Sequence, residues 1–352
     1  MGGRRSTSAI DPYATGVAVV IPTRNGGARF REVLEALAIQ DVEGGVELVV
    51  IDSASTDGTA AAAEAAGARV ERIDPRDFDH GTTRNRGISL TCAPIVALLT
   101  QDALPMGPSY LRHLAAPFSS SRVDGVYARQ FPRPDCDPLL AERLRRWSAS
   151  RTAPELQVLV PGDPVRSRAL FSALPPIERY LCCAFDDVAS AIRRSTWKRI
   201  PLPARRFGED VAWAREVLLA GGSVAFEPAA CVEHSHRIRL RREFQRIYAD
   251  HRNLYELFGL RNVPSWAAVW AGGKLQCGVY RDLLASQRLP GRERLGWRAY
   301  SIPYAFLETA AQFLGARSLW KAEESRFWRW FDSRMRGERP RRAMPPPSSK
   351  GG

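Results

Sequence analysis

The sequence predicts an α/β fold, a mostly parallel central sheet with flanking helices, followed by a helical extension. Three observations predict it. Short β-branched apolar runs alternate with helical stretches from residue 17 to about residue 73. A fully apolar run at residues 95–99 reads as a buried strand of the same sheet. From residue 240 onward only helical patterns occur.

Residues 17–21 (VAVVI) form a strand closed by Pro22, and TRNGG at 23–27 is the loop that follows. An amphipathic helix over about 29–40 has Phe30, Val33, Leu34 and Leu37 on one face. A second strand (47–51, ELVVI) runs into DSASTDGT, then a helix over 60–66, Gly67 and a strand over about 69–73. This order makes a parallel, doubly wound beginning. Asp52 stands where the second strand ends, and the hydroxyls and glycine after it offer backbone N–H groups to a ligand. Ser55, Thr56 or Asp57 serves equally well as a helix cap, whereas Asp52 precedes the helix by several residues.

DFDHGTTRNRG at 77–87 begins as a loop and becomes a helix reaching about Leu90. Arg84 and Arg86 near a helix start oppose the dipole, which favours anions there. An anion shared by the arginines and the helix end, such as a diphosphate, resolves that mismatch; a solvated basic face is the alternative. His80 is either a ligand contact or an ordinary structural histidine. In IVALLTQDALP (95–105) the apolar run leads into Thr100, Gln101 and Asp102. A carboxylate at a strand's end lies at the sheet's carboxyl edge, where open α/β folds bind ligands. A turn or cap role is the simpler reading of Asp102 alone.

Beyond it the pattern predicts a helix near 109–117, a strand at 125–130, a Pro-rich stretch at 132–138 and a basic helix at 139–150. Residues 151–176 show no periodicity and are expected to be a long flap or part of an acceptor site. LCCAFDD (181–187) leads into a strand at 189–193, and FGED (207–210) opens a helix at 211–219 stopped by Gly221-Gly222. Acidic residues suit a first turn, so capping competes with chemistry for Glu209 and Asp210. A strand at 223–226, closed by Pro228, precedes His234-Ser235-His236. Period two in a strand would put both rings on one face, a metal-site pattern when an Asp is near.

Hydrophobic content of 45% and charged content of 25% over 352 residues are those of a soluble globular protein with an appendage. The six cysteines (Cys92, Cys136, Cys182, Cys183, Cys231 and Cys277) show no CxxC spacing, and with no signal peptide the expectation is reduced thiols in the cytosol. Net charge is +13, and from residue 231 onward 23 Lys and Arg face 11 Asp and Glu, so +12 sits in the last third. That asymmetry suggests nucleic acid or anionic lipid as a partner. A near-neutral first two thirds, without a zinc-finger, RNP or GxxxxGK[ST] motif, argues against a nucleic-acid-binding protein. No run of about 18 apolar residues exists to span a bilayer. Helices over 241–258, 266–287, 294–313 and 318–335 carry Trp297, Trp320, Trp328 and Trp330 among arginines, a pattern of interfacial helices or of aromatic packing.

Seven motifs in order, VVIPTRN, IDSASTDGT, FDHGTTRNRG, LLTQDALP, SAIRRSTW, FGEDVAW and HSH, resemble the bacterial family 2 glycosyltransferases of the GT-A fold (Rossmann-like), in particular rhamnosyltransferases using dTDP-L-rhamnose. The resemblance covers about residues 17–237. Composition and residue pattern predict a disordered lead-in at 1–16, a basic aromatic helical region at 238–337 and a disordered tail at 338–352, and over 17–237 the resemblance implies a nucleotide-sugar transferase domain. It implies that Pro22, Thr23 and Asn25 flank the nucleoside, that Asp52 accepts from the base, and that His80, Thr83, Arg84, Asn85 and Gln101 serve nucleotide-sugar binding. Asp102 would bind Mg²⁺ or Mn²⁺ with His236 or, less favoured, His234; Asp210 would be the catalytic base; Asp187, Glu209 and Trp213 would line the acceptor side. The first carboxylate of the family's DxD-type motif is Thr100 here, leaving the metal one Asp. The implied reaction inverts the sugar's anomeric centre. The implied acceptor is a saccharide or polyprenyl-linked saccharide in cell-surface polysaccharide synthesis, at a peripheral, cytoplasmic position on the plasma membrane's inner face with no nucleic acid. A UDP- or GDP-sugar donor is the alternative within the class. A catalytically silent subunit is disfavoured because Asp102 and Asp210 are both present.

Overall fold

In the computed structural model, strand β1 (Val17–Thr23) has every residue but Pro22 buried. Helix α1 (Gly27–Ala38) buries Phe30, Val33, Leu34 and Leu37, the face its 3.6-residue period assigns. There follow β2 (Val46–Asp52), α2 (Thr59–Ala65), β3 (Arg69–Arg72), α3 (His80–Ser89) and β4 (Ile95–Leu99). β1 pairs in parallel with both β2 and β4, and β2 with β3, so this half of the sheet is parallel. All five residues of β4 are buried, as a strand covered on both faces requires.

The second half is mixed. It comprises β5 (Leu104–Pro105), α4 (Tyr110–Ala115), β6 (Val123–Phe131), α5 (Pro138–Arg145), β7 (Glu155–Val158), α6 (Pro164–Ala173), α7 (Pro176–Cys182), β8 (Ala189–Arg193), α8 (Arg194–Arg199), α9 (Glu209–Leu219) and β9 (Ser223–Glu233). Strand order is β3-β2-β1-β4-β8-β6-β9-β5, with β7 on the other part of β9. β8 lies antiparallel between β4 and β6. The structure describes residues 16–205 and 207–336, which fall into two compact units dividing between Arg237 and Ile238. The expected tail, and all of the expected lead-in but Gly16, lie outside the described residues.

Three expectations for the first unit need correction. Residues 151–176 are not a structureless flap but hold β7 and α6. Their signal is faint because α6 buries only Ser167 and Phe171. The strand expected to stop at Pro228 runs on to Glu233: pairing with β6 jumps from Ala128↔Glu227 to Arg129↔Cys231, so Pro228 sits in a bulge that needs no ladder N–H. The basic helix expected over 139–150 ends at Arg145.

Glycine sets one close approach in this unit. A Cβ on Gly87 would fall 2.3 Å from Val20 Cγ1, so α3 rests directly on β1.

The second unit is all helical: α10 (Leu240–Phe258), α11 (Trp266–Ser286), α12 (Gly291–Glu324) and α13 (Arg326–Met335). The break expected near residue 315 is absent. Gly315 is there for packing, since a Cβ would meet Tyr248 O of α10 at 2.3 Å. Trp320 packs edge-on against Tyr255, centroids 5.0 Å apart, beneath the Arg261 guanidinium, and so belongs to the packing alternative. The exposed aromatics are Trp266 and Trp270 on α11 and Phe327 and Trp330 on α13. No helix among the described residues is long and apolar enough to cross a membrane.

Candidate active site

Strand register brings distant motifs to one sheet edge. Leu99 pairs with Ala189 across β4–β8, and one step further Thr100 N donates to Val188 O at 3.0 Å. This sets Thr100–Gln101–Asp102 beside Asp186 and Asp187. From the other side β5 runs antiparallel to β9 with Leu104 opposite Glu233, so the next residues outward are Asp102-Ala103 and His234-Ser235. His234 N donates to Phe131 O at 2.8 Å, and His234 Nε2 lies 3.6 Å from Asp102 Oδ1. The imidazoles of His234 and His236 have centroids 6.4 Å apart. Both rings follow the end of β9 rather than lying in it, so their proximity comes from the β5–β9 pairing and not from strand periodicity. It is His234, the less favoured ring in the sequence, whose Nε2 stands against Asp102.

The loops after β1 and β2 are laced together. Asn25 N donates to Ser55 Oγ (2.8 Å), Asn25 Oδ1 accepts from Thr56 N (2.9 Å), and Gly26 N donates to Thr59 Oγ1 (2.8 Å). Asn25 and Ala54 hold φ of +49° and +56°, a conformation seldom adopted outside glycine and often found where a site constrains the backbone. Gln101 joins them to β4: its Oε1 accepts from Arg24 N at 2.8 Å and its Nε2 donates to Arg24 O at 3.3 Å. Pro22 stays in the ladder opposite Ile51. Asp52 is 1% exposed, with Oδ1 accepting from Thr23 Oγ1 (3.4 Å) and Oδ2 from Ser55 N (3.0 Å). Asp52 and Thr23 brace the loop from within, because buried carboxylate oxygens take the nearest N–H and O–H.

Asp79 caps α3 by accepting from Thr82 N at 3.0 Å, so His80 opens the helix. His80 is half-buried against Phe78, and burial, with the Arg84 charge adding, holds its pKa down to about 3. Its ring is therefore neutral at physiological pH. The other diphosphate candidates of α3 face inward. Thr83 is buried and accepts from Asp79 N. Asn85 donates to Leu202 O and accepts from Trp197 Nε1, both at 2.8 Å. Arg84 is 2% exposed and ion-paired with Glu209, and it donates to Asp187 O at 3.1 Å. It neutralises internal carboxylates instead of a ligand.

Those carboxylates form a cluster. Asp187 accepts from Ser190 Oγ at 2.7 Å, and Asp210 Oδ2 accepts from Asp187 N at 3.4 Å. Asp186 accepts from Trp147 Nε1 at 3.0 Å. Asp187 and Glu209 are buried against Arg84, and Trp213 is wholly buried, donating to Ile200 O at 2.8 Å. All three are buried, and the indole packs on Phe185 and Gly125. Asp210 alone of α9's acidic pair stays partly exposed. Burial first, then the negative charges of Glu209, Asp187 and Asp186, push its pKa well above the usual carboxylate range. Burial raises Glu209 to about 7 despite Arg84.

A pH effect on stability follows. Below the unfolded value of 4.5 Glu209 is protonated in both states. Between 4.5 and about 7 the folded chain holds a proton that the unfolded chain has released, so stability falls as pH rises across that window. The unfolding midpoint is expected to drop from pH 5 to pH 7.5, about the window's span, and to drop less in Glu209→Gln. Equal slopes in differential scanning calorimetry would remove Glu209 from the explanation.

The family described as Glycosyl transferase family 2 matches residues 18–173. The O-antigen chain rhamnosyltransferase RfbN of Salmonella typhimurium is 31% identical over 236 residues, covering 66% of this chain and 70% of that protein. This chain belongs to glycosyl transferase family 2. The family 2 enzyme is a glycosyltransferase, and it is also similar to the O-antigen chain rhamnosyltransferase WbaN of Salmonella anatum, 29% identical over 65% of this chain and 69% of WbaN. Among solved structures, glucosyl-3-phosphoglycerate synthase from Mycobacterium tuberculosis, in complex with Mn²⁺, UDP and phosphoglyceric acid, superposes with a TM-score of 0.50 at 20% identity. The match covers 73% of this chain and 85% of that one and bears out the GT-A fold.

The residues at the Asp102 end fit a divalent ion. Burial lowers the His234 pKa, so its ring is neutral with a lone pair free, and its Nδ1 is buried without a partner. An Asp oxygen and an imidazole nitrogen 3.6 Å apart suit one ion at bonds of about 2.1 Å. Among the described residues no group of three or more such side chains could hold a metal. Asp102 and His234 would hold such an ion with water and phosphate oxygens completing its shell.

Sequence reasoning missed Asp186, Arg133 and Arg29. Arg133 Nη2 donates to Asp102 O at 3.1 Å, and Arg29 Nη1 to Ser235 O at 2.6 Å. No local motif announces the two arginines, whose partners lie 31 and 206 residues away.

Proposed function

We propose that the enzyme transfers L-rhamnose from dTDP-L-rhamnose to a saccharide or polyprenyl-linked saccharide in cell-surface polysaccharide synthesis, with inversion. The observation that carries the reading is that strand register brings the Asp102–His234 pair beside Asp186 and Asp187, where the half-buried Asp210 accepts from Asp187 N at 3.4 Å. The similarity to two O-antigen chain rhamnosyltransferases supports rhamnose as the sugar. Residues 17–237 are the transferase domain and 238–337 an accessory helical region.

In this reading the laced loops of Asn25, Asp52 and Gln101 fix a rigid floor for the nucleoside, and His80 offers a neutral N–H to the diphosphate. Asp102 and His234 would hold Mg²⁺ or Mn²⁺, which when bound supplies Lewis-acid neutralisation of charge building on the leaving diphosphate. Asp210 takes the proton of the acceptor hydroxyl as that oxygen bonds to the anomeric carbon and the carbon–phosphate-oxygen bond breaks on the opposite face. A β-linked donor then gives an α-rhamnoside. The exposed Trp266, Trp270, Phe327 and Trp330 on basic helices support peripheral attachment to the anionic inner face of a membrane.

Thermal-shift titration tests the donor. In Mn²⁺, dTDP-rhamnose is expected to raise the unfolding midpoint more than UDP- or GDP-sugars, with the gain reduced in Asp102→Ala. A preference for UDP- or GDP-sugars would replace the rhamnose reading and leave the mechanism.

A further inference from the structure

We infer that Arg133 and Arg29 are positioning residues that set the divalent-ion affinity of the Asp102–His234 pair, an inference resting on the metal-binding reading above. The two ligands sit on separate chain segments, one before β5 and one after β9. β5 is two residues long, so its pairing with β9 fixes only two register positions. Something else must hold the donor atoms at a constant separation, because affinity for a small hard ion depends on ligand geometry.

Two guanidinium groups tied to helix α1 supply it, Arg29 on the helix itself and Arg133 paired with the helix residue Glu32. Arg133, 7% exposed, donates from Nη2 to the carbonyl of Asp102 at 3.1 Å and ion-pairs through Nη1 with Glu32 Oε2 of α1 at 2.6 Å. Arg29, three residues before Glu32 and so on the same side of α1, donates from Nη1 to the carbonyl of Ser235, between the two histidines, at 2.6 Å. Its Nη2 pairs with Asp135 Oδ2 at 2.8 Å. One helix thus grips the main chain of both ligand-bearing segments through groups that leave the Asp102 carboxylate and the His234 ring nitrogens ungripped.

Energetics favour a functional reading of this arrangement. Burying a guanidinium carries a large desolvation cost, and an apolar side chain of equal volume is often at least as stabilising. Arg133 Nε is itself buried without a partner, and the paired Glu32 is about half exposed. Residues behind metal ligands orient them, and their loss lowers metal affinity about 10- to 100-fold.

The test is titration of full-length protein with Mn²⁺ in the presence of dTDP, reading free ion by electron paramagnetic resonance. Arg133→Met and Arg29→Met are each expected to weaken Mn²⁺ binding about 10- to 100-fold, with Arg133→Lys and Arg29→Lys recovering part of it. The Mn²⁺ concentration for half-maximal turnover should rise while saturating Mn²⁺ restores kcat, a split that general destabilisation would not produce. Should Arg133→Met fail to fold, the more exposed Arg29→Met decides. Wild-type Mn²⁺ affinity in Arg29→Met would overturn the inference alone. Absence of Mn²⁺ binding by the wild-type protein would overturn the metal reading and this inference with it.

Discussion

Arg84→Met is expected to destabilise the first unit by about 3–5 kcal/mol at neutral pH, the usual cost of leaving buried charge without its partner. Arg84 joins α3 to α9: it pairs with Glu209, lies 3.8 Å from Asp187 Oδ2 and donates to the Asp187 carbonyl. Burial works against its charge, and Asp187 and Glu209 outweigh it. Methionine fills similar volume, so the loss is electrostatic and not a cavity effect. The deficit should shrink on acidification, because Asp187 and Glu209, both raised by burial, escape unpaired charge by taking up protons. Urea unfolding at neutral pH and near pH 5, on the acid side of a titration near 7, reads this directly. A deficit independent of pH would mean that Arg84 acts through packing.

Asp210→Asn is expected to lower kcat by about 10²- to 10⁴-fold, the contribution of a positioned general base. Asparagine keeps the shape and the bond from Val211 N (2.8 Å to Oδ1 in the native chain) but cannot take a proton. Stability should hold or rise, since asparagine cannot acquire the negative charge that burial, Glu209, Asp187 and Asp186 all oppose. Wild-type kcat should increase with pH as Asp210 loses the proton that burial and its neighbours retain, and that limb should be missing from the variant's residual rate. Donor-induced thermal shift should survive. A variant within threefold of wild-type kcat, about 0.65 kcal/mol in barrier, would place the base elsewhere.

The parallel half of the fold was legible because β1, β2 and β4 are β-branched apolar runs and α1 keeps a 3.6-residue stripe. β7 and α6 were not, since a four-residue strand with an exposed Leu156 and a helix burying two side chains leave no period to read. In the site, Asp102 and Asp210 announce themselves as carboxylates at the ends of strands and the starts of helices. What side chains do behind them depends on pairing across the sheet. Arg84 looked ligand-facing because nothing nearby in sequence revealed Glu209, 125 residues on, as its partner. His234 Nε2 reaches Asp102 Oδ1 because Pro228 is absorbed in a bulge and β9 runs on to meet β5, a shift no local pattern encodes.

The most direct measurement is the fate of the donor's anomeric carbon. Purified protein is incubated with dTDP-β-L-rhamnose, Mn²⁺ and a polyprenyl-linked saccharide acceptor, and the product is examined by heteronuclear NMR. The proposed reaction gives an α-linked rhamnoside with stoichiometric dTDP, formed about 10²- to 10⁴-fold more slowly by Asp210→Asn and more slowly by Asp102→Ala. A β-linked product would contradict single displacement by an Asp210-activated hydroxyl, and transfer by Asp210→Asn at the wild-type rate would contradict the site itself.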